Sequence, residues 1–242
     1  MHLSTWAIVG LVSVTTALNA SADERERVEE TVPFSAGGHF SVENKNGSIT
    51  VTTWNESSVR IEAEKVAKNA DYLEDIEIEI EGSGDSVNVE TIHHRKRNSG
   101  KVNYVISVPQ EASVTIRTAN GSLNIDGIHG QVDAKSVNGS VKIEGVVGAM
   151  DVTTTNGSIR AAYERADDGD HRFKTTNGSV RVYLPNDAGG SFEAETVNGR
   201  IEVDFPTELT RSSRRHLSGS FGSGSGSWDI KTVNGSVKIL PN

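Results

Sequence analysis

The residues of this sequence best suited to hold a metal ion form one short acidic cluster of Asp167, Asp168 and Asp170. Clustered carboxylates are ligands that Ca²⁺ prefers. However, the cluster lacks the twelve-residue loop and the final glutamate of an EF-hand, and the sequence has no calcium-binding nonapeptide repeat. We therefore interpret the cluster as a polar turn, keep a Ca²⁺ site as the weaker alternative, and expect no cofactor.

Basic side chains form a second set that could bind a ligand, because they recur at fixed distances from Asn-Gly pairs. One group stands four residues after the Asn, and another stands three residues before it. The first group comprises Lys142, Arg160, Arg181 and Lys238, and the second comprises Arg117, Lys135, Lys174 and Lys231. If the Asn-Gly units stack, each group becomes a basic ridge that could bind an anionic polymer or lipid head group. The alternative is that these charges only keep the surface soluble.

The sequence contains no motif of a common catalytic site. The nucleophile elbow, the zinc motif H-E-x-x-H, the P-loop and the Rossmann fingerprint are all absent. There are also no cysteines, which excludes thiol catalysis, cysteine-based zinc sites, disulfides and a lipid anchor on an N-terminal cysteine. We therefore predict that the protein is not an enzyme.

The elements that position these residues are seven copies of one unit, centred on Asn-Gly. Residues six and four before the Asn, and three and five after it, are mostly apolar, whereas the residues between them are mostly polar. This alternation predicts two half-buried strands on either side of a turn. The seven pairs are Asn46 and Gly47, Asn120 and Gly121, Asn138 and Gly139, Asn156 and Gly157, Asn177 and Gly178, Asn198 and Gly199, and Asn234 and Gly235. We interpret them as structural turns, because Asn and Gly tolerate left-handed backbone conformations and stacked Asn side chains can form a ladder.

Two all-β architectures fit this pattern. In antiparallel hairpins that pack as a sandwich, Asn-Gly would join paired strands, and Lys135 would lie opposite Lys142. Glu195 would likewise oppose Glu202, and such like-charged pairs are unfavourable. In a parallel β-solenoid, or β-helix, Asn-Gly would instead turn a corner between stacked coils. We favour the solenoid and keep the hairpin sandwich as the alternative.

The chain divides into three regions. Residues 1–22 read as a signal peptide with a cleavage site at Ala20-Ser21-Ala22, so we expect export and no transmembrane span in the mature chain. Residues 23–108 contain the first Asn-Gly unit and an N-terminal β region that caps the stack. Residues 109–242 hold the repeat array, with a flexible Gly/Ser loop at 207–227, and the last unit closes the other end. The net charge of −9 argues against a nucleic-acid partner.

The serial T-x-N-G-S units, the preceding Val108-Pro109-Gln110-Glu111-Ala112 segment and the signal peptide together resemble a bacterial family of adhesin-like β-strand-repeat proteins, domain of unknown function 4097. The resemblance covers essentially the whole mature chain. It implies an exported, envelope-associated β-helical protein with adhesin-like or envelope-stress roles, and it offers no catalytic residues to transfer.

We therefore expect a non-catalytic scaffold in the periplasm or on the cell surface that binds protein or anionic polysaccharide partners. The first alternative is a periplasmic scaffold that regulates an envelope-stress pathway. The second is a polysaccharide-acting enzyme on a β-helix, for which the candidate sugar platforms are Trp54, Tyr163 and Tyr183. The sequence leaves the oligomeric state open.

Overall fold

The computed structural model describes residues 13–15, 23–94 and 100–242, so most of the predicted signal peptide lies outside the described residues. The described part is almost entirely β-structure. Its elements are β1 (Ser13–Thr15), β2 (Glu24–Asn46), β3 (Ile49–Trp54), β4 (Ser58–Ala67), α1 (Ala70–Glu74), β5 (Ile76–His93), β6 (Gly100–Pro109), β7 (Ser113–Asn120), β8 (Leu123–Asp126), β9 (Val132–Asn138), β10 (Val141–Val146), β11 (Met150–Asn156), β12 (Ile159–Tyr163), β13 (Asp170–Asn177), β14 (Val180–Leu184), β15 (Gly190–Asn198), β16 (Ile201–Val203), β17 (Glu208–Ser212), β18 (His216–Phe221), β19 (Gly226–Asn234) and β20 (Val237–Pro241).

Each Asn-Gly pair is a corner between two strands that lie in different sheets. The strands that end at the Asn pair in parallel with one another and form the pre-turn sheet, and the strands that follow the Gly form the post-turn sheet. Asn138 aligns with Asn156, and Val141 aligns with Ile159. The fold is therefore the predicted parallel β-solenoid. The hairpin alternative is wrong, because each strand pairs with its equivalents in neighbouring coils.

The core lies between the two sheets and is filled by the inward residues of both. Val152 and Phe173 of the pre-turn sheet and Ile159 and Val180 of the post-turn sheet are fully buried. Burial of each such side chain contributes about 1.5–3 kcal/mol, and the period of two places the polar residues between them outside.

The corners are held by three sets of hydrogen bonds between successive coils. Asn156 donates its side-chain amide to Asn138 Oδ1 at 2.8 Å and accepts from Asn177 at 2.7 Å, and this ladder links all seven Asn side chains. The Gly157 N–H donates to the Asn177 carbonyl at 3.0 Å. The hydroxyl of Thr175, two residues before its Asn, donates to the Gly157 carbonyl at 2.8 Å. In five of the six copies with Thr or Ser at this position, the buried hydroxyl thus satisfies a corner carbonyl that would otherwise lack a partner, and Thr118 is the exception.

The corner glycines are needed for close packing rather than for a left-handed backbone. Our expectation of left-handed Asn-Gly turns is wrong, since no described non-Gly residue has a positive φ, and Gly47 alone among the corner glycines has one, at 117°. A Cβ on any of the other six would lie well within 3.0 Å of the carbonyl oxygen of the neighbouring corner glycine. Only a residue without Cβ lets the coils stack this closely.

The coils do not stack in chain order. The β19–β20 coil lies between the β13–β14 and β15–β16 coils, so the last unit is inserted into the stack and β15–β16 closes it. This corrects our expectation that the unit Trp228–Leu240 is terminal. At the other end, the β2–β3 coil likewise lies between β5–β6 and β7–β8.

The segment 207–227, expected to be a flexible Gly/Ser loop, contains two strands instead. β18 pairs antiparallel with the outer edge of β15, and β17 pairs antiparallel with β18. The small residues suit this position, because Gly219 packs directly against the backbone at Glu208. Residues 222–225 connect β18 to β19, with bends at 222 and 223.

The N-terminal region caps the other end by crossing between the sheets. Residues 24–33 of β2 pair antiparallel with β4, which pairs antiparallel with β6 and so extends the post-turn sheet. From Phe34 onward β2 belongs to the pre-turn sheet, and Phe34 is buried. β5 doubles back on itself near Gly82 and Gly84, since the His94 N–H donates to the Asp75 carbonyl at 3.1 Å.

We predict that Gly157→Ala destabilises the protein by about 1–3 kcal/mol, because its methyl group would overlap the Gly139 carbonyl. Gly157→Asn should be at least as harmful, although Asn tolerates a left-handed backbone. Urea unfolding of both variants measures this. A well-tolerated Asn variant would show that the backbone angle, and not the contact between coils, requires the glycine.

Candidate ligand-binding surface

The post-turn sheet brings four basic residues of the predicted ridge into one continuous column. Lys142 aligns with Arg160, Arg160 with Arg181, and Arg181 with Lys238. Neighbouring strands lie about 4.8 Å apart, so the four charges are spaced at that interval along the surface. The column is continuous because the β19–β20 coil is inserted before the β15–β16 coil. Glu202 of β16 therefore aligns with Lys238 at the end of the column and does not interrupt it.

Carboxylates lie beside three of the four basic residues of this column, since Lys238 also pairs with Glu202, and they neutralise its charge only in part. Lys142 Nζ lies 2.7 Å from Glu144, and Arg160 Nε lies 3.6 Å from the same carboxylate. The hydrogen bond with Lys142 lowers the pKa of Glu144, which keeps the pair charged. Arg160 also stacks 4.1 Å from the ring centre of Tyr183, a contact that the sequence did not reveal. Arg181 is exposed and has no ion pair with any described residue.

Lys135 and Lys174 belong to the second predicted ridge, which lies on the pre-turn sheet and not beside this column. Both lie on the pre-turn sheet, where Lys135 Nζ is 3.1 Å from Asp133 and Lys174 Nζ is 3.2 Å from Asp229. Thr153 occupies the position between them. The pre-turn sheet therefore carries alternating ion pairs rather than free positive charge.

A shallow groove runs along the pre-turn sheet beside the Asn ladder. Near the β15 end it has a volume of about 550 Å³, and its lining includes Thr155, Thr176, Val197 and Val233. A similar groove of about 430 Å³ lies nearer β5. The two valines are 52% and 39% exposed, which gives this strip an apolar character.

The acidic cluster lies in the bend that leads into β13, whose first residue is Asp170. Asp168 accepts a hydrogen bond from the Ser225 N–H at 2.9 Å, and Asp167 faces the His171 ring. These contacts attach the segment before β19 to the solenoid, which supports the interpretation as a polar turn.

Glu193, Glu195 and His216 form the group of described residues close enough to share a cation. Lys231 already lies within this group, with its Nζ 3.3 Å from Glu193 and 3.4 Å from Glu195. Partial burial opposes charge on Lys231, but hydrogen bonds to Asp229 and Glu193 raise its pKa. The chain's own ammonium group therefore supplies the positive charge there.

A buried polar cluster lies beneath the acidic turn. The His171 ring stacks on Trp228 with centroids 3.9 Å apart, and its Nδ1 lies 2.8 Å from the hydroxyl of Tyr163. Burial lowers the pKa of His171 and raises that of Tyr163. Tyr163 is fully buried, so our interpretation of it as an exposed sugar platform is wrong. The cluster joins the inserted coil to its neighbours.

Comparison with known proteins identifies the family of this chain. The model of the Toastrack DUF4097 family matches residues 9–240. The chain belongs to this family. A solved structure of a candidate cell adhesion protein from Clostridium sporogenes has a TM-score of 0.51 at 13% identity, covering 88% of this chain and 99% of that one. A candidate adhesin from Bacteroides fragilis has a TM-score of 0.46 at 11% identity, covering 88% and 97%. A search of curated proteins found no match.

The Toastrack solenoid of this chain contains no described helix long or apolar enough to cross a membrane. Its one described helix, α1, has five residues.

We predict that neutral His171 makes the protein less stable in mild acid. Because its folded-state pKa is lowered, its stabilising contribution is complete above the ordinary value of 6.5 and is lost as the pH falls through the folded value. Between pH 7.5 and 5, the melting temperature should fall less for His171→Gln than for the wild type. The fall that remains in the variant comes from His93, because burial also lowers the pKa of that residue. His129→Gln is the matched control. An equal fall in melting temperature with pH in all three proteins would contradict the prediction.

Proposed function

We propose that this protein is an exported, non-catalytic, adhesin-like scaffold that binds an anionic polysaccharide along the post-turn column. The observation that carries the proposal is the uninterrupted series Lys142, Arg160, Arg181 and Lys238 on rigid neighbouring strands. A polymer with one negative group per repeating unit could contact several of these charges together. Each contact would be weak alone, and binding would gain strength from their number.

The chemistry of the column suits a glycan. Arg181 offers a guanidinium without an ion pair among the described residues, and guanidinium groups bind carboxylates and sulfates through paired hydrogen bonds. Tyr183, half-buried beside Arg160, adds an aromatic surface with a hydroxyl group. The name of the Clostridium sporogenes protein, which shares the fold, agrees with a role in adhesion. The hydrogen bonds that hold Asp167 and Asp168 in a turn count against the alternative of a polysaccharide-acting enzyme.

We predict that reversing three charges of the column, Lys142→Glu, Arg160→Glu and Arg181→Glu together, abolishes binding to sulfated or uronic-acid glycans on an array. The wild type should bind these glycans, not neutral ones, and its affinity should fall as salt is added, since exposed charges are screened.

The matched control reverses Arg117, Lys135 and Lys174 on the pre-turn sheet, which makes the same change in net charge. This control should lose affinity only modestly, through the more negative overall charge. Equal loss in both variants, or no binding of anionic glycans by the wild type, would reject the proposal.

A further inference from the structure

The two ends of the solenoid carry exposed side-chain clusters of opposite sign, although both halves of the chain are net negative. Residues 23–108 contain 17 acidic and 10 basic side chains, whereas residues 109–242 contain 16 and 14. At the N-terminal end, Glu77, Glu79 and Glu81 are exposed along the first half of β5. Of these, Glu77 forms a hydrogen bond with His94 Nε2 at 2.7 Å.

The opposite end carries a group of exposed arginines. Arg211 lies on β17, and Arg214 and Arg215 lie at the tip of the β17–β18 hairpin. Arg200 replaces the Ser of the repeat in the coil that closes the stack. All four are exposed, and none has an ion pair with a described residue.

Both ends also leave part of the core incompletely covered. Ile201 and Val203 of β16 are half-buried, whereas Val237 and Ile239, the equivalent residues of the next coil, are fully buried. At the N-terminal end, Ile78 and Ile80 are half-buried and Val28 is partly covered. The half-buried apolar residues indicate that each end could bury further area against another molecule.

The pre-turn sheet ends in an open strand edge at each end. β17 pairs with β18 on one side, and its five residues are all exposed. Residues 76–81 of β5 lie beyond the half of β5 that pairs with β2, and they pair with no other described strand. β17 runs in the direction of the pre-turn strands and residues 76–81 run against it, so these two edges would meet as an antiparallel pair if two solenoids were coaxial.

We propose that copies of this protein associate head to tail, with β17 and its arginines against the glutamate-bearing first half of β5 in the next copy. Charges on an edge strand normally prevent pairing between like edges. Here the charges would make two acidic ends, or two basic ends, repel each other. Only an acidic end and a basic end could therefore pair. Such a contact is heterologous and does not close, so association should continue into linear chains.

This inference is independent of the proposed function, although linear association would align the basic columns of successive copies and increase avidity for a long polymer. The test measures the mass of the purified protein by light scattering and sedimentation, at rising concentration and at low and high salt. The mass should increase without stopping at a dimer at low salt, and should fall at high salt.

Two charge-reversal variants make the test specific. The first replaces Glu77, Glu79 and Glu81 with Lys, and the second replaces Arg211, Arg214 and Arg215 with Glu. Each variant alone should remain monomeric, because both of its ends then carry the same sign. An equimolar mixture should associate again, because the ends of one variant are complementary to those of the other.

The matched control is the triple reversal at Lys142, Arg160 and Arg181, which lies mid-stack and should leave association unchanged while removing glycan binding. A wild type that is monomeric at all concentrations, a closed dimer, or association that survives either end variant would overturn the proposal. None of these outcomes bears on the glycan-binding column, so the two proposals can fail separately.

Discussion

The close approach of successive corner glycines is the constraint on which the rest of this structure depends. At six of the seven corners, the carbonyl of one glycine lies where a side chain of the next would begin, so glycine is required. The Thr175 hydroxyl then satisfies the Gly157 carbonyl, and the Asn side chains bond to one another outside the core. Because these contacts repeat along most of the stack, they fix the register of both sheets. The fixed register in turn aligns the outward side chains into columns.

The corner contact forms only between two neighbouring coils that both have an Asn-Gly corner. The repeat therefore departs from its usual residues where a coil lacks such a neighbour. The first Asn-Gly coil borders β6, which has no such corner, and Asn44 replaces the usual Thr or Ser so that its amide can reach the Val102 carbonyl at 2.8 Å. Arg200 replaces Ser in the coil that closes the stack. The first and last Asn-Gly coils of the chain are both held between two neighbours. The surfaces left at the ends are therefore the natural places for contact with other molecules.

Much of the architecture could be predicted from the sequence. Alternation around Asn-Gly identified the inward residues, and the like charges at Lys135 and Lys142 argued correctly against hairpins. The stacking order could not be predicted, because the coils at Asn177, Asn198 and Asn234 have equivalent corners and chain order was the only guide. The ion pair of Lys174 with Asp229 was hidden for the same reason, since it joins coils distant in the chain. The strands in 207–227 were missed because Gly and Ser have low strand propensity.

Cysteine cross-linking tests the central claim, the inserted position of the last coil, most directly, because the chain has no native cysteines. Arg181 and Lys238 align on adjacent strands, within the Cα separation that a disulfide requires. Glu202 lies one strand further, about 9–10 Å from Arg181 and beyond that limit. Under mild oxidation, Arg181→Cys with Lys238→Cys should form a disulfide detected by peptide mass spectrometry, and Arg181→Cys with Glu202→Cys should not. The opposite result would show that the coils stack in chain order.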